Sequence, residues 1–540
     1  MLLLSTLLLA HTTFAQHPHG YNGWKGSCTA PPRRCRFAPS YTQAQILANP
    51  EPFICDLLYW EGHFTQPGIG FNGANAMTYD GTLLNTTTGL ADAYESGQHN
   101  FSAASKESLH IMLLAHALAG DPSATRTISP STPAAGPQVA FGIMKQKLAS
   151  YLFFNQTFPG FGGFLPWFNN TLGQPLRPTS DWVNRVPALD NGELLWAVYA
   201  AVHVLQNSPD PAFRTLGASW QSWLDYTKFH ATSIFYRGNG VVCAVSTLNQ
   251  TLEPDDPRQN YTCEGANVLN DPYEGELFAW WLYFFGGLGE GEREAIWVAK
   301  RGQLVSVEYQ YQSNNSQTGS GSTPITVQKG FWFSAHEQWK VLEMPYYDID
   351  IVRRVFTNAE RVRTCNSAGL GIPGMFASVN NVTDQAGQII GYISNAGIPS
   401  ISNQTLQELD VITPYSVFPT LLVERGWGRR VGIAWWWNMV RAKKMQNPYG
   451  STESERLDGT AISSFLSWDS KVTTVVALLG GVSGFVKAKM MEEGIYNEFI
   501  NVTNREYSRV FTDLKGEDVA LCLPNTAVPD AGLVDYTDCS

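Results

Sequence analysis

Carboxylates at the starts of helices are the residues in this chain best placed to do chemistry. The segment 263–285, CEGANVLNDPYEGELFAWWLYFF, carries Asp271, Glu274 and Glu276 just ahead of an apolar run. Asn270 or Asp271 can cap the helix, and Pro272 suits its first position. With Asp271 as the cap, Glu274 falls three residues on, where a glutamate can simply bond the cap's backbone N–H. A helix N-terminus also favours the ionised carboxylate, the wrong form for a proton donor. To act as an acid, Glu274 needs burial or a neighbouring negative charge to raise its pKa. Glu276 is a weak source of that charge, because two residues along a helix turn ~200° and aim the pair at opposite faces. Local reasoning leaves capping and catalysis level for Glu274. The second acidic segment is 447–471, NPYGSTESERLDGTAISSFLSWDSK, with Glu453, Glu455, Asp458 and Asp469 ahead of another helix. Asp458-Gly459 also reads as an ordinary turn, and Asp469 as a helix cap.

Two carboxylates from distant parts of one chain are the minimum kit for glycoside hydrolysis. One protonates the leaving oxygen; the other activates water or attacks the sugar. Seventeen Trp and 22 Tyr can supply flat faces for sugar rings, though most of them serve the core. Other chemistries find less support. There is no GxSxG elbow and no Walker-type phosphate loop. The ten histidines are scattered: His110 and His116 share a helix without i, i+4 spacing, and His203 sits on another. Neither CxxC nor HExxH occurs, so no metal and no cofactor are expected.

The elements that must hold these carboxylates are mostly helical. Apolar periodicity predicts helices over 105–119, 138–154, 190–206, 212–231, 273–286, 291–301, 335–345, 349–363, 415–425, 428–446, 470–479 and 484–493. In 190–206, Leu194, Leu195, Val198, Ala201, Val202 and Leu205 form the apolar stripe, with Asp190 or Asn191 as cap. Helices 273–286 and 428–446 are apolar nearly all round and must be covered on every side. Short β-like pieces lie at 233–245, 304–311 and 325–333. Segments 121–137 and 312–323 read as surface loops. A dozen helices, some wholly buried and some amphipathic, suit a two-layered (α/α)6 toroid. Residues 61–500 would form that domain, with a Cys-containing segment 16–60 packed on it and a disulfide-tethered tail 501–540.

Composition fits a secreted protein. Charged residues are 15% of the 540 and the net charge is −11, against about 25% charged in an average globular chain. With no basic runs, nucleic acid and acidic membrane surfaces are excluded as partners, and 44% hydrophobic residues exclude disorder. Residues 1–15, MLLLSTLLLAHTTFA, read as a signal peptide cut after Ala15, and no later stretch reaches the ~18 apolar residues of a membrane span. Ten sequons, at Asn85, Asn100, Asn155, Asn169, Asn249, Asn260, Asn314, Asn381, Asn403 and Asn501, predict N-glycans that would solvate a charge-poor surface. Eight cysteines (Cys28, Cys35, Cys55, Cys243, Cys263, Cys365, Cys522, Cys539) predict oxidised pairs outside the cell; the pairing itself stays open. A monomer is expected.

The signal peptide, the DPYEGELFAWW helix start and the PYGSTESERLDGTAISSFLSWD segment together resemble the fungal endo-β-1,2-glucanases, glycoside hydrolase family 162. The resemblance covers most of the mature chain. It implies an (α/α)6 barrel and endo-hydrolysis of linear β-1,2-glucan to sophorooligosaccharides with inversion at the anomeric carbon. It also implies Glu274 as general acid and Asp458 as general base, favouring Asp458 over Glu453, Glu455 and Asp469. The base in that family acts on water through a substrate hydroxyl, so the two carboxyls can lie farther apart than the ~6.5–9.5 Å usual for inverting enzymes. Tyr273, Glu276 and Asp190 are weaker candidates for substrate contact. Two other readings compete: a polysaccharide lyase on the same toroid, which this acidic chain serves poorly, and a non-catalytic sugar-binding glycoprotein.

Overall fold

A computed structural model describes residues 28, 33–92, 97–313, 321–380, 391–394, 396–406, 410–423 and 426–539. The proposed signal peptide and the sequons at Asn314 and Asn381 lie outside the described residues. In chain order the helices are α1 (Gln43–Ala48), α2 (Glu51–Gly62), α3 (Ala104–Leu118), α4 (Pro122–Ile128), α5 (Gly136–Thr157), α6 (Ala188–Gln206), α7 (Pro211–Phe235) and α8 (Gly275–Phe285). They continue with α9 (Glu290–Arg301), α10 (Lys340–Glu343), α11 (Asp350–Leu370), α12 (Phe418–Leu422), α13 (Trp427–Val440), α14 (Trp468–Leu479), α15 (Ser483–Glu492) and α16 (Tyr496–Val510).

Burial and helix packing together divide them into two layers. Every residue of α10, α12 and α14 is buried, as are nearly all of α3 and most of α6 and α8. Helices α5, α7 and α9 bury one side only. The buried set forms an inner ring, in which α14 packs on α3, α3 on α6, α6 on α8, and α12 on α14. Lys340 of α10 reaches Glu276 of α8 at 3.3 Å and joins the arc. The intervening helices α2, α5, α7, α9, α11 and α13 alternate with them as the outer layer, and α13, itself mostly buried, is covered in turn by the N-terminal segment and the tail, Trp437 Nε1 donating to Ala38 O and Trp435 Nε1 to Cys522 O. This is an (α/α)6 toroid, and its core is aromatic: Trp196, Trp280, Trp281, Trp435, Trp436 and Trp468 are all fully buried. Each such ring contributes roughly 1.5–3 kcal/mol by leaving water.

The two ends of the ring differ. Helix α15 closes the end where the inner helices finish. His116, late in α3, bonds Gly481 O at 2.9 Å, and Tyr199, late in α6, donates to Glu493 at 2.9 Å. The opposite end holds all the inner N-termini and the short antiparallel strands, such as Gly81–Leu83 paired with Phe465–Ser467 just ahead of α14.

Several elements depart from the sequence reading. Segment 121–137 is not a loop throughout, because Asp121 caps α4 by accepting from Ser123 N and Ala124 N, with Pro122 at the first helical position. Segments 335–345 and 415–425 each split into a 3-10 turn (Ala335–Gln338, Pro414–Val417) followed by a short helix. Residues 233–235 continue α7 rather than starting a strand. Helices α1, α2 and α16 were not anticipated. Disulfides join Cys28–Cys55, Cys35–Cys539, Cys243–Cys263 and Cys365–Cys522.

Candidate active site

The six inner N-termini bring one set of polar side chains to the open end: Lys106 on α3, Asp190 on α6, Glu274 before α8, His336 in the turn before α10, Tyr415 in the turn before α12, and Asp469 on α14. These helices are largely buried, so charge here comes at a desolvation cost.

Glu274 occupies the N-cap position of α8 but does not cap it. Asp271 does that work: its Oδ1 accepts from Tyr273 N and Gly275 N, both at 2.8 Å. A Cβ on Gly275 would fall 2.9 Å from Asp271 Cβ, so glycine permits this tight start. The glutamate is thereby released. Its side chain is 3% exposed, and Oε2 has no hydrogen-bond partner among the described residues. Burial pushes the Glu274 carboxyl well above its ordinary range, and the neighbouring carboxylates Glu193, Asp271, Glu337 and Asp190 add to the rise. A helix N-terminus pulls the other way by roughly 0.3–1 kcal/mol. Burial is the larger effect, and it favours the protonated form. His336 Nε2 lies 3.7 Å from Glu274 Oε1. Burial, aided by Lys106, pushes His336 down to about 3, so that contact joins two neutral groups.

Around this acid the ring is unusually carboxylate-rich. Glu193 and Glu343 are 1% and 0% exposed, and none of their four carboxyl oxygens has a partner among the described residues. Asp469 pairs with Lys106 at 3.0 Å through Oδ2, while its Oδ1 is unpartnered. Asp190 is half-buried and accepts from Trp167 Nε1 at 2.9 Å. It therefore stands at the rim, and because α6 starts at Ala188 after Pro187, Asp190 and Asn191 fall in the first turn of the helix and not at its cap.

Two of the other weak candidates turn away from this site. Tyr273 is buried and donates to Gln328 O at 2.6 Å, with Lys340 5.1 Å from its ring centroid. Glu276 sits in a closed network with Tyr346 OH (2.5 Å), Tyr507 OH (2.9 Å) and Lys340. The helical period aims it opposite to Glu274, as expected, and both residues are structural here rather than open to substrate. Asp458 lies outside the ring. It is exposed in the turn between strands Ser454–Arg456 and Ile462–Ser463, accepting from Thr460 N at 2.9 Å and Thr460 Oγ1 at 2.6 Å. Those bonds hold its carboxyl below the usual range. Of its acidic neighbours in sequence, Glu453 is buried against Ser467, Ser470 and Asn380 and is pushed up to about 7 by burial. Glu455 is buried too.

The sequence reading missed Glu193, Glu343, Lys106, His336 and Tyr415. One signal was available for Glu193: it follows Asp190 in a helix whose next residues, Leu194 to Val202, carry no further charge. Among the described residues, no group of three or more His, Cys, Asp or Glu side chains is arranged to hold a metal, and no single helix is long and apolar enough to cross a membrane.

The chain was compared with known proteins. A structure of an endo-β-1,2-glucanase mutant from Talaromyces funiculosus in complex with β-1,2-glucan is 60% identical, covers 94% of this chain and 100% of that one, and superposes with a TM-score of 0.89. The same organism's enzyme in complex with sophorose matches at 60% identity, the same coverage and a TM-score of 0.90. An endo-β-1,2-glucanase from Chitinophaga pinensis shares the fold at 10% identity, with 84% of this chain and 95% of that one covered and a TM-score of 0.54. Among curated proteins no sequence matches. The family model described as endo-beta-1,2-glucanase SGL matches residues 77–540. With that match spanning most of the chain and a ring of buried carboxyls at the inner-helix ends, the chain belongs to the GH162 endo-β-1,2-glucanase family and is a glycoside hydrolase.

Proposed function

We propose that this protein cleaves linear β-1,2-glucan internally, releasing sophorooligosaccharides, with inversion of the anomeric configuration. The observation that carries the reading is Glu274, a buried carboxyl freed from cap duty at an inner-helix N-terminus. Its protonated form donates to the departing glycosidic oxygen. A water then attacks the anomeric carbon from the opposite face and yields the α-anomer. Asp458 is the base. Its depressed pKa keeps it ionised, the form a base needs. Because it stands outside the ring, the proton reaches it through a substrate hydroxyl: the attacking water gives its proton to the hydroxyl, whose own proton passes to Asp458. Asp190, at the rim beside Trp167, contacts the glucan.

A second reading of the base rests on Asp469, which lies in the same ring as Glu274 with one oxygen unpartnered. Asp458→Asn and Asp469→Asn decide between them. Asp458→Asn is expected to lose about 10²-fold or more in kcat while folding normally. Wild-type kcat in that variant removes Asp458, and a loss confined to Asp469→Asn moves the role to Asp469.

The protein is further proposed to be a secreted monomer, with segment 16–60 and tail 501–540 flanking the catalytic domain and N-glycans on several sequons. Asn85, Asn249, Asn260, Asn403 and Asn501 are exposed, and Asn100, Asn155 and Asn169 half-buried. Mass spectrometry of the secreted protein before and after deglycosylation tests occupancy.

A further inference from the structure

Residues 271–274, which lead into α8 with Glu274 at their end, are all buried and belong to no helix or strand. Their carbonyls must still find donors, because an unpaired buried backbone group costs about as much as a lost hydrogen bond. The donors come from outside the inner ring. Lys300, on the last turn of α9, donates through Nζ to Asp271 O and, at 2.7 Å, to Gln303 Oε1. Gln328, at the end of strand Gly321–Gln328, donates to Pro272 O at 2.5 Å, and its own carbonyl takes the Tyr273 hydroxyl at 2.6 Å.

Lys300 is the unusual member of this set. It is 3% exposed, and among the described residues its ammonium bonds a carbonyl and an amide oxygen but pairs with no carboxylate. Burial pushes it down to about 8, while Glu276 and Asp271 hold it up against Lys340. It is therefore charged at acidic and neutral pH. A buried ammonium is expensive to desolvate, and a neutral donor could satisfy one carbonyl without that cost. What the charge adds is a stronger, shorter bond to Asp271 O. The same residue's carboxylate caps α8 through Tyr273 N and Gly275 N, each at 2.8 Å. Lys300 thus grips the backbone of the residue whose side chain keeps Glu274 free.

We propose that Lys300 is a positioning residue for the reaction: by holding Asp271 O it seats the Asp271 carboxylate as the cap of α8 and so keeps Glu274 turned into the ring. The inference rests on the reading of Glu274 as the acid. Once the Asp271 cap is displaced, the open N–H groups at the start of α8 draw the next acid along, as in a capping box. That acid is Glu274. Bonds from N–H groups favour its ionised form, so it stops being a proton donor at lower pH. Glu274 is also faced by Glu193 and Asp190 of α6, by Glu337 and His336 of the turn before α10, by Glu343 of α10 and by Tyr415 of the turn before α12. A change at Lys300 leaves all six in place.

The test is the pH profile of kcat, with KM, on β-1,2-glucan for the wild type, Lys300→Met, Asp271→Ala, Asp271→Asn and Glu274→Gln, each measured well below its melting temperature. Lys300→Met and Asp271→Ala are expected to lower kcat by about 10-fold or more with little change in KM. Their alkaline limbs should move to lower pH by about one unit or more. Asp271→Asn keeps the accepting oxygen and should recover most of the kcat lost in Asp271→Ala. The direction of the limb in Lys300→Met is decisive, because loss of a cation acting through space would move it to higher pH. A limb that moves up, or a lowered melting temperature beside an unmoved limb and wild-type kcat, overturns the proposal, as does wild-type kcat in Asp271→Ala. Should Lys300→Met not fold, Lys300→Gln, a neutral donor, carries the same test with the same outcomes. Full activity in Glu274→Gln overturns the acid reading and this inference with it, whereas an inactive Glu274→Gln beside an unmoved limb in the Lys300 variant overturns this inference alone.

Discussion

Glu274 and Glu276 are two residues apart and share the same helix start, yet they do different work. Asp271 supplies the cap, so Glu274 is free, while Glu276 is bound on all sides by Tyr346, Tyr507 and Lys340. Glu274→Gln is expected to lower kcat by about 10²–10⁴-fold without lowering the melting temperature, since its carboxyl makes no hydrogen bond that folding depends on. Glu276→Ala should do the reverse. It leaves the buried ammonium of Lys340 without its carboxylate and bonded to Tyr507 OH alone, at a cost of about 3–5 kcal/mol. A denaturant titration beside an activity assay separates the two outcomes, and an unchanged midpoint for Glu276→Ala contradicts the structural assignment. The sequence carried half of this distinction. The 3.6-residue period placed the two glutamates on opposite faces, but which residue caps α8 depends on side-chain geometry that no spacing encodes.

At the scale of the elements, the site exists because six inner helices begin at the same end. The helix positions were legible from apolar periodicity, and α6, α8 and α14 start within two residues of expectation. Most of the ring lining was not legible: Asp469 stood out among the acids of its segment, but Lys106, Glu193 and Glu343 come from three other helices far apart in the chain and meet it only in the folded toroid. The short inner helices α10 and α12 were blurred for a related reason: their 3-10 turns and the prolines at 345, 414 and 419 break the periodic signal. Ring geometry also rests on close contacts that pattern reading cannot see. Gly192→Ala drives a methyl toward Phe278 N. It is expected to cost about 1–3 kcal/mol by forcing α6 away from α8 and to lower kcat with it. A substitution that leaves both untouched argues that the α6–α8 contact does not set the site.

At the scale of the whole molecule, the low charge content and the four disulfides act together. Cys35–Cys539 closes a loop across 504 residues and ties the N-terminal segment to the last turn of the tail. Replacing both cysteines by serine is expected to cost about 2–5 kcal/mol while sparing kcat, because the link lies away from the ring. Stability should also depend on pH. Glu453 and Glu337 are each pushed up to about 7 by burial, against 4.5 when unfolded. Their protonated forms support the fold below pH 4.5, and that support is lost as pH rises through 7, so the melting temperature should fall across this window. Glu453→Gln should flatten the fall, and an equally steep decline in that variant would remove Glu453 as its source. The scarcity of cations that excluded nucleic acid also favours a neutral polymer as substrate, which agrees with membership of a glucanase family. The most direct test of the account is incubation with a panel of glucans while NMR reads the first anomer released. The account predicts cleavage of β-1,2-glucan alone, with new reducing ends appearing first as the α-anomer. Ends appearing first as the β-anomer, or cleavage of β-1,3- or β-1,4-glucan in place of β-1,2-glucan, would contradict it.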